Sequence, residues 1–386
     1  MRPGSRVPSA ADMGSLDCWA VTHPGLEPVT AAELSAIGIV PGHVEPGGIS
    51  FRTSPAGLYA ANLRLRTASR VLLRIATFHA HSFAELERHA ARLPWGDYVA
   101  PGAAAAFHVT SRKSKLYHQR GVAERLAAAL ARAVPGVSAD GPERFHVRLF
   151  RDQCTVSVDA SGELLHRRGY RQAVAKAPLR ETLAAGLLLA AGWDGSVPLL
   201  DPFAGSGTIA IEGALLARRI APGLGRAFAF EEWPSFEPPV WREVREAAEA
   251  ERLAHAPAPV MASDRDAGAV AAAEANAARA GVSADVEIRR AALSSIAPGA
   301  VRGVVATNPP YGARVGERKR LRDLYAQLGH VLRRACPGWD LVMFSPHAEL
   351  ERQVGLGFRT LAETSNGGLR VGLVSAPVPE AAGVPR

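Results

Sequence analysis

Between residues 179 and 344 the sequence alternates helix-like and strand-like stretches, and that alternation leaves few folds other than a doubly wound parallel sheet. Helices are expected over 179–191, 208–219, 240–255, 267–280 and 320–335, with strands over 197–201, 260–263, 285–288, 303–307 and 340–344. The later run Thr364-Ser-Asn-Gly-Gly-Leu-Arg-Val-Gly-Leu-Val-Ser-Ala376 puts Asn366-Gly367 between two strand-like stretches, so an antiparallel hairpin is expected to finish the sheet. Residues 221–239, rich in Pro, Gly and aromatics, read as an insertion. The first half has a finer grain, with strands expected over 16–22, 48–51, 71–78, 104–110, 144–150 and 153–158 and helices over 27–37, 58–70, 83–93 and 117–134. Its last two strands are joined by a short Arg151-Asp152 turn, and the whole reads as small α+β modules.

The first motif with chemistry is Leu199-Leu-Asp-Pro-Phe-Ala-Gly-Ser-Gly-Thr208. A strand delivers Asp201 to the sheet edge, Gly205 and Gly207 let the backbone turn, and the next helix begins with free N–H groups. Gly205-x-Gly207-x-x-Ala210 also fits a dinucleotide fingerprint, but two details oppose a pyrophosphate. Asp201 would repel it, and the next candidate ribose acid, Asp264, lies far beyond the ~20-residue spacing of that unit. A cofactor with an amino-acid tail and no phosphates fits better, namely S-adenosylmethionine. Asp201, Pro202, Phe203, Ala204, Gly205, Ser206, Gly207 and Thr208 are the candidate cofactor-binding residues. In Ser263-Asp264-Arg-Asp266, Asp264 is the choice for the ribose hydroxyls and Asp266 for the cap of the following helix.

The most specific motif is Thr307-Asn-Pro-Pro-Tyr-Gly312, which follows a strand and so faces the same crevice as the glycine loop. An exocyclic amine on a nucleobase is a poor nucleophile because its lone pair is delocalised into the ring. The Asn308 side-chain carbonyl and the Pro309 backbone carbonyl can accept its two N–H bonds and favour a pyramidal nitrogen. Pro309 and Pro310 fix φ and stiffen the loop, and Tyr311 offers a flat face for an extruded base. These four are the candidate catalytic residues.

A nucleic-acid substrate agrees with a net charge of +8, which is unevenly distributed. Residues 1–170 hold 20 basic and 14 acidic side chains, and the rest of the chain 25 and 23. The basic residues are 41 arginines and only four lysines, a skew that genome base composition explains as readily as phosphate recognition. Cys18, Cys154 and Cys336 lie too far apart for a disulfide scaffold or a Cys-only metal cage, so no metal is expected. Residues 1–15 carry no apolar signal core, and the longest apolar run, 183–193, is about half a membrane span. A cytoplasmic protein with no membrane partner is the expectation.

With these motifs in this order, further stretches carry a resemblance: Leu165-His-Arg-Arg-Gly-Tyr-Arg171, Ala177-Pro-Leu-Arg-Glu-Thr-Leu-Ala184, Ala221-Pro-Gly-Leu224 and Phe230-Glu-Glu-Trp233. The chain resembles the bacterial THUMP-domain RNA guanine-N2 methyltransferases, nearest the 23S ribosomal RNA branch, from about Leu16 to Ser375. The resemblance implies an α/β, Rossmann-like class I methyltransferase domain at 181–376 with a terminal antiparallel hairpin. It implies an α+β region before it, with a ferredoxin-like part at 16–57, an RNA-binding THUMP domain at 58–162 and a linker at 163–180. It also implies RNA-backbone contacts for Arg112, Lys113, Lys115 and His118, a cluster that spacing alone reads as a solvated loop. Arg180 becomes a candidate for the cofactor carboxylate or a substrate phosphate, and equally a surface residue of a first helical turn. No acid follows the strand at 285–288, where many relatives carry one near the adenine amine. Some relatives are fused to a second methyltransferase domain, and a chain of this length is expected to hold one activity only. Transfer RNA is the second-choice substrate. The readings that compete are an adenine-N6 methyltransferase, a non-catalytic RNA-binding assembly factor and a NAD-linked oxidoreductase. Cys336 reads as packing rather than as a nucleophile.

Overall fold

The computed structural model describes residues 15–172, 179–311 and 318–380. Gly312 and the pair Ala177-Pro178, both parts of motifs above, lie outside the described residues.

The first half is built on one seven-stranded sheet. Its elements are β1 (Leu16–Thr22), α1 (Glu27–Ala36), β2 (Pro41–Glu45), β3 (Gly48–Thr53), α2 (Pro55–Arg64), β4 (Ala68–His79), α3 (Phe83–Ala90), β5 (Ala104–Arg112), α4 (Gln119–Ala133), β6 (Ser138–Phe150) and β7 (Gln153–Asp159). The strand order is β2-β3-β1-β4-β7-β6-β5, with only the β5–β6 pair parallel. The bulged 12-residue β4 joins the two ends of this sheet, because it pairs with β1 over one stretch and with β7 over the next.

Two expectations change here. The helix expected over 58–70 is α2, which starts on the Ser54 cap and Pro55 and stops at Arg64. The chain leaves the helix because the Glu33 carboxylate captures the Arg66 and Thr67 N–H groups at 2.6 and 3.0 Å, so β4 begins at Ala68. The short, polar β2 is a strand that the sequence does not announce; it lies at the sheet edge, where one ladder partner suffices.

The second half contains α5 (Glu181–Ala190), β8 (Leu199–Asp201), α6 (Thr208–Ala217), α7 (Pro238–Ala250), β9 (Val260–Asp264), α8 (Ala267–Arg279), β10 (Val286–Arg290), β11 (Val304–Thr307), α9 (Arg318–Ala335), β12 (Asp340–Ser345), α10 (Ala348–Val354), β13 (Arg359–Asn366) and β14 (Leu369–Pro377). The order is β10-β9-β8-β11-β12-β14-β13, parallel from β10 to β12 and antiparallel at β14 and β13. This is the Rossmann-like sheet with a terminal hairpin. The hairpin turn is Gly367-Gly368, both with positive φ, while Asn366 still pairs with Leu369; the turn therefore sits one residue later than expected. Strand order reverses between β8 and β11, which makes the crevice beyond their carboxyl ends the place for a ligand.

The 221–239 segment, read as an insertion, fastens the two halves together. Phe228, Phe230 and Trp233, with Trp241 of α7, are buried in the core of the first half. Tyr59 of α2 stacks on Phe230 at 4.4 Å, and Trp241 meets Phe230 edge-on at 5.1 Å. Each such ring removes about 150–250 Å² from water, enough to hold the halves in fixed register. Among the described residues no helix is long and apolar enough to cross a membrane.

Candidate active site

At the end of β8 the Asp201 carboxyl is 1% exposed, and its Oδ1 accepts from Phe203 N at 3.1 Å and from Thr307 Oγ1 at 2.7 Å. Thr307 is the last residue of β11, so this bond ties together the two strand ends that frame the crevice. Burial pushes the Asp201 carboxyl up to about 7, against the Thr307 and Phe203 hydrogen bonds, which lower it. The negative charge of Asp264 raises it further.

The glycine loop is stitched to its surroundings. Ala204 N donates to Ser263 O at 3.0 Å and Gly205 N to Asp264 Oδ2 at 3.0 Å, while Gly207 N donates to Ala204 O at 2.8 Å. Gly205 and Gly207 have φ of +53° and +82°, conformations that favour glycine. A Cβ on Gly207 would also stand 2.9 Å from that of Ala273 on α8. Asp264 uses its other oxygen on Asp266 N, and Asp266 caps α8 through Ala269 N, as its position in the sequence suggested. Each Asp264 oxygen keeps a lone pair for a further donor.

Behind the loop lies a polar chain to whose residues the sequence reading gave no role. Asn276 of α8, fully buried, donates from Nδ2 to Ser206 O at 3.0 Å. Arg279 donates to Asn276 Oδ1 and, at 2.8 Å, to Tyr170 O. Tyr170 OH donates to Glu212 Oε1 of α6 at 3.0 Å, and Arg168 pairs with the same oxygen at 3.5 Å. Arg168 also donates to Arg66 O of the first half at 2.6 Å. The stretch Arg168-Gly-Tyr170 thus connects the first half to the glycine loop through buried groups. Arg279→Ala removes two of these bonds and is expected to weaken S-adenosylmethionine binding by ~5–10-fold in calorimetry, equivalent to about 1 kcal/mol.

At the end of β11, Asn308 is half-buried, Pro309 buried and Pro310 exposed. The Asn308 Oδ1 atom is buried and finds no donor among the described residues. An acceptor left so costs stability unless a ligand supplies the donor. Tyr311 accepts at its hydroxyl from Asn366 Nδ2 at 2.5 Å, which pins the ring to the β13–β14 hairpin. Ser263 Oγ, beside Asp264, is likewise buried without a partner among the described residues.

The other expected residues come from other elements. Arg180 is exposed immediately before α5; burial lowers the His23 and His166 imidazoles, and the charge of Arg180 lowers both further. Arg112, Lys113, Lys115 and His118 lie on the first half, between the end of β5 and the start of α4. Cys336 is wholly buried and its thiol is pushed up to about 12 by burial, so packing is its role. Among the described residues no group of three or more His, Cys, Asp or Glu side chains is placed to hold a metal ion.

The family model for the RMKL-like methyltransferase domain matches residues 168–369, more than half of the chain. The chain belongs to that family. Models of the RlmL ferredoxin-like domain and the THUMP domain match residues 17–72 and 80–159 of this methyltransferase. A candidate RNA methyltransferase of Synechocystis sp. strain PCC 6803 is 33% identical over 91% of this chain and 94% of its own length. The ribosomal RNA large subunit methyltransferase K/L of Syntrophotalea carbinolica is 36% identical over 94% of this chain, which spans 53% of that longer protein. A crystallised candidate methyltransferase in complex with S-adenosylhomocysteine superposes with a TM-score of 0.85 at 28% identity, covering 96% of this chain and 99% of that one.

The residues present fit S-adenosylmethionine. A buried carboxyl at the end of β8 has the chemistry to take an ammonium, a second carboxylate flanks the glycine loop, and an unpartnered buried acceptor lies at the end of β11.

Proposed function

We propose that the chain transfers a methyl group from S-adenosylmethionine to the exocyclic N2 of a guanine in RNA, with 23S ribosomal RNA as the substrate. The observation that carries the amine chemistry is the orphaned Asn308 Oδ1 at the carboxyl edge of β11. The THUMP match and the relatives named for ribosomal and other RNA methylation support the choice of RNA. In this reading the ferredoxin-like part, matched over 17–72, and the THUMP domain, matched over 80–159, engage RNA, 163–180 is the linker and 181–376 carries the chemistry. The reading places the chain in the cytoplasm, where RNA and cofactor meet.

S-adenosylmethionine supplies an electrophilic methyl group on a sulfonium. Asp201 binds the ammonium of its amino-acid tail, and Asp264 accepts from its ribose hydroxyls. Residues 202–208 wrap the rest of that tail. Asn308 Oδ1 and the Pro309 carbonyl accept the two N–H bonds of the guanine amine and aim its lone pair. Tyr311, pinned by Asn366, stacks on the flipped base. No general base is needed before transfer, since the ammonium formed loses its proton afterwards; orientation and exclusion of water supply the rate.

A strain lacking this gene tests the reading through nucleoside mass spectrometry of its separated RNAs. Loss of one N2-methylguanosine from 23S RNA supports it. An unchanged 23S RNA with the loss confined to transfer RNA contradicts it.

A further inference from the structure

Among the described residues only four other than glycine have a positive φ, and three meet at one corner of the first half: Lys113 at +53°, Arg151 at +51° and Asp152 at +62°. Arg151 and Asp152 form the two-residue turn of the β6–β7 hairpin, where Phe150 pairs with Gln153 and a positive φ at both is the ordinary geometry. The left-handed backbone of Lys113, by contrast, costs ~1 kcal/mol or more and persists only where surrounding contacts impose it. Here the contacts come from Asp152. Its Oδ1 accepts from Lys115 N at 2.6 Å, its Oδ2 pairs with His81 Nδ1 at 3.2 Å, and its own N–H donates to Ser114 Oγ at 3.0 Å. Its carbonyl accepts from Ala80 N at 2.9 Å. One aspartate therefore clamps three segments: the β6–β7 turn, the loop after β4 and the loop between β5 and α4.

That clamp displays cations. The side chains of Arg112, Lys113 and Lys115 make no hydrogen bond or salt bridge among the described residues. Arg151 packs over the Phe150 ring at 5.3 Å, leaving its guanidinium edge free for an anion. The nearby carboxylates are engaged, Asp152 as above and Glu85 with His81 N at 2.7 Å. Beside the cations Tyr117 is 67% exposed, its ring 4.1 Å from that of His118. Phosphate-seeking charge next to an open aromatic ring matches the chemistry of RNA with an unpaired base.

We propose that this corner docks the substrate RNA: Arg151 joins Arg112, Lys113 and Lys115 on the phosphates, Tyr117 stacks on an unpaired base, and Asp152 is the positioning residue that holds them in register. The proposal rests on the RNA reading above. It makes a prediction opposite in sign to that of charge alone. Asp152→Ala leaves the corner more positive, so charge alone predicts tighter RNA binding, whereas loss of the clamp predicts weaker binding.

The test is filter binding of protein-free 23S ribosomal RNA across a salt series, with S-adenosylmethionine calorimetry as the check on folding. Asp152→Ala is expected to bind RNA ~10-fold more weakly with cofactor affinity unchanged. Arg151→Gln, which keeps the clamp, is expected to lower affinity severalfold and to reduce the salt slope by about 1. Equal or tighter binding by Asp152→Ala, or an unchanged slope for Arg151→Gln, overturns the corner while leaving the RNA reading intact. A wild-type chain that binds no RNA overturns both.

Discussion

Asn308→Ala is expected to lower methyl transfer by ~100-fold or more, equivalent to about 2.7 kcal/mol of lost transition-state stabilisation. The side-chain oxygen it removes is the buried acceptor that no described residue satisfies. Two further readouts follow. Cofactor affinity should stay nearly constant, because no bond of the glycine loop runs through Asn308; those bonds go to Ser263, Asp264, Ala204 and Asn276. Thermal stability should be equal or slightly higher, since truncating an unpaired buried acceptor relieves a desolvation cost of ~1–3 kcal/mol. A group kept for packing would show the reverse, normal turnover with a lower melting temperature. Steady-state kinetics and a thermal melt on one preparation separate the two.

Asp201→Asn has the second-largest expected effect. The amide oxygen can still accept from Thr307 and from Phe203 N, so the tie between β8 and β11 survives. On the proposed reading the charge that would hold the cofactor ammonium is lost, and S-adenosylmethionine should bind ~30-fold more weakly, equivalent to about 2 kcal/mol for a charged hydrogen bond. The pH dependence has a definite sign. In the folded chain the Asp201 carboxyl titrates at about 7, against 3.8 as a reference. Between these values the native state holds a proton that the unfolded chain has released. The contribution of this group to stability is therefore full below 3.8, declines as pH rises and is gone above about 7. Cofactor binding favours the carboxylate, so affinity should climb as pH rises through about 7 and then level off. Asp201→Asn should flatten both profiles, as calorimetry and melts from pH 5 to 8 would reveal.

What could be read from the sequence divides along physical lines. Gly205 and Gly207 were legible because a positive φ wants glycine, and the place of Asn308 at the end of β11 was legible because its motif follows a strand-like run. The Asp266 cap was legible because a side chain reaching three residues ahead is a local event. Distance in sequence hid the rest. Glu33 ends α2 by taking N–H groups more than thirty residues away, so the run through Arg70 kept its helical look. Asn276 and Arg279 sit in an alanine-rich helix with no motif, and their partners Ser206 and Tyr170 lie about 70 and 109 residues distant in sequence. A lone asparagine on the buried face of such a helix was the available signal. The aromatic segment 221–239 was visible as an insertion, but only the fold shows that it packs on the first half. Arg151-Asp152 was legible as a turn and not as a clamp, because the clamp needs three segments to meet.

The central claim, a methyl group placed on a guanine N2 of RNA, is tested most directly in vitro. Purified chain is incubated with methyl-labelled S-adenosylmethionine and protein-free 23S ribosomal RNA, and the RNA is digested to nucleosides for mass spectrometry. The account predicts label in N2-methylguanosine with the wild-type chain, and none above background with Asn308→Ala. Label in N6-methyladenosine, or equal labelling of guanine N2 by both chains, would contradict it.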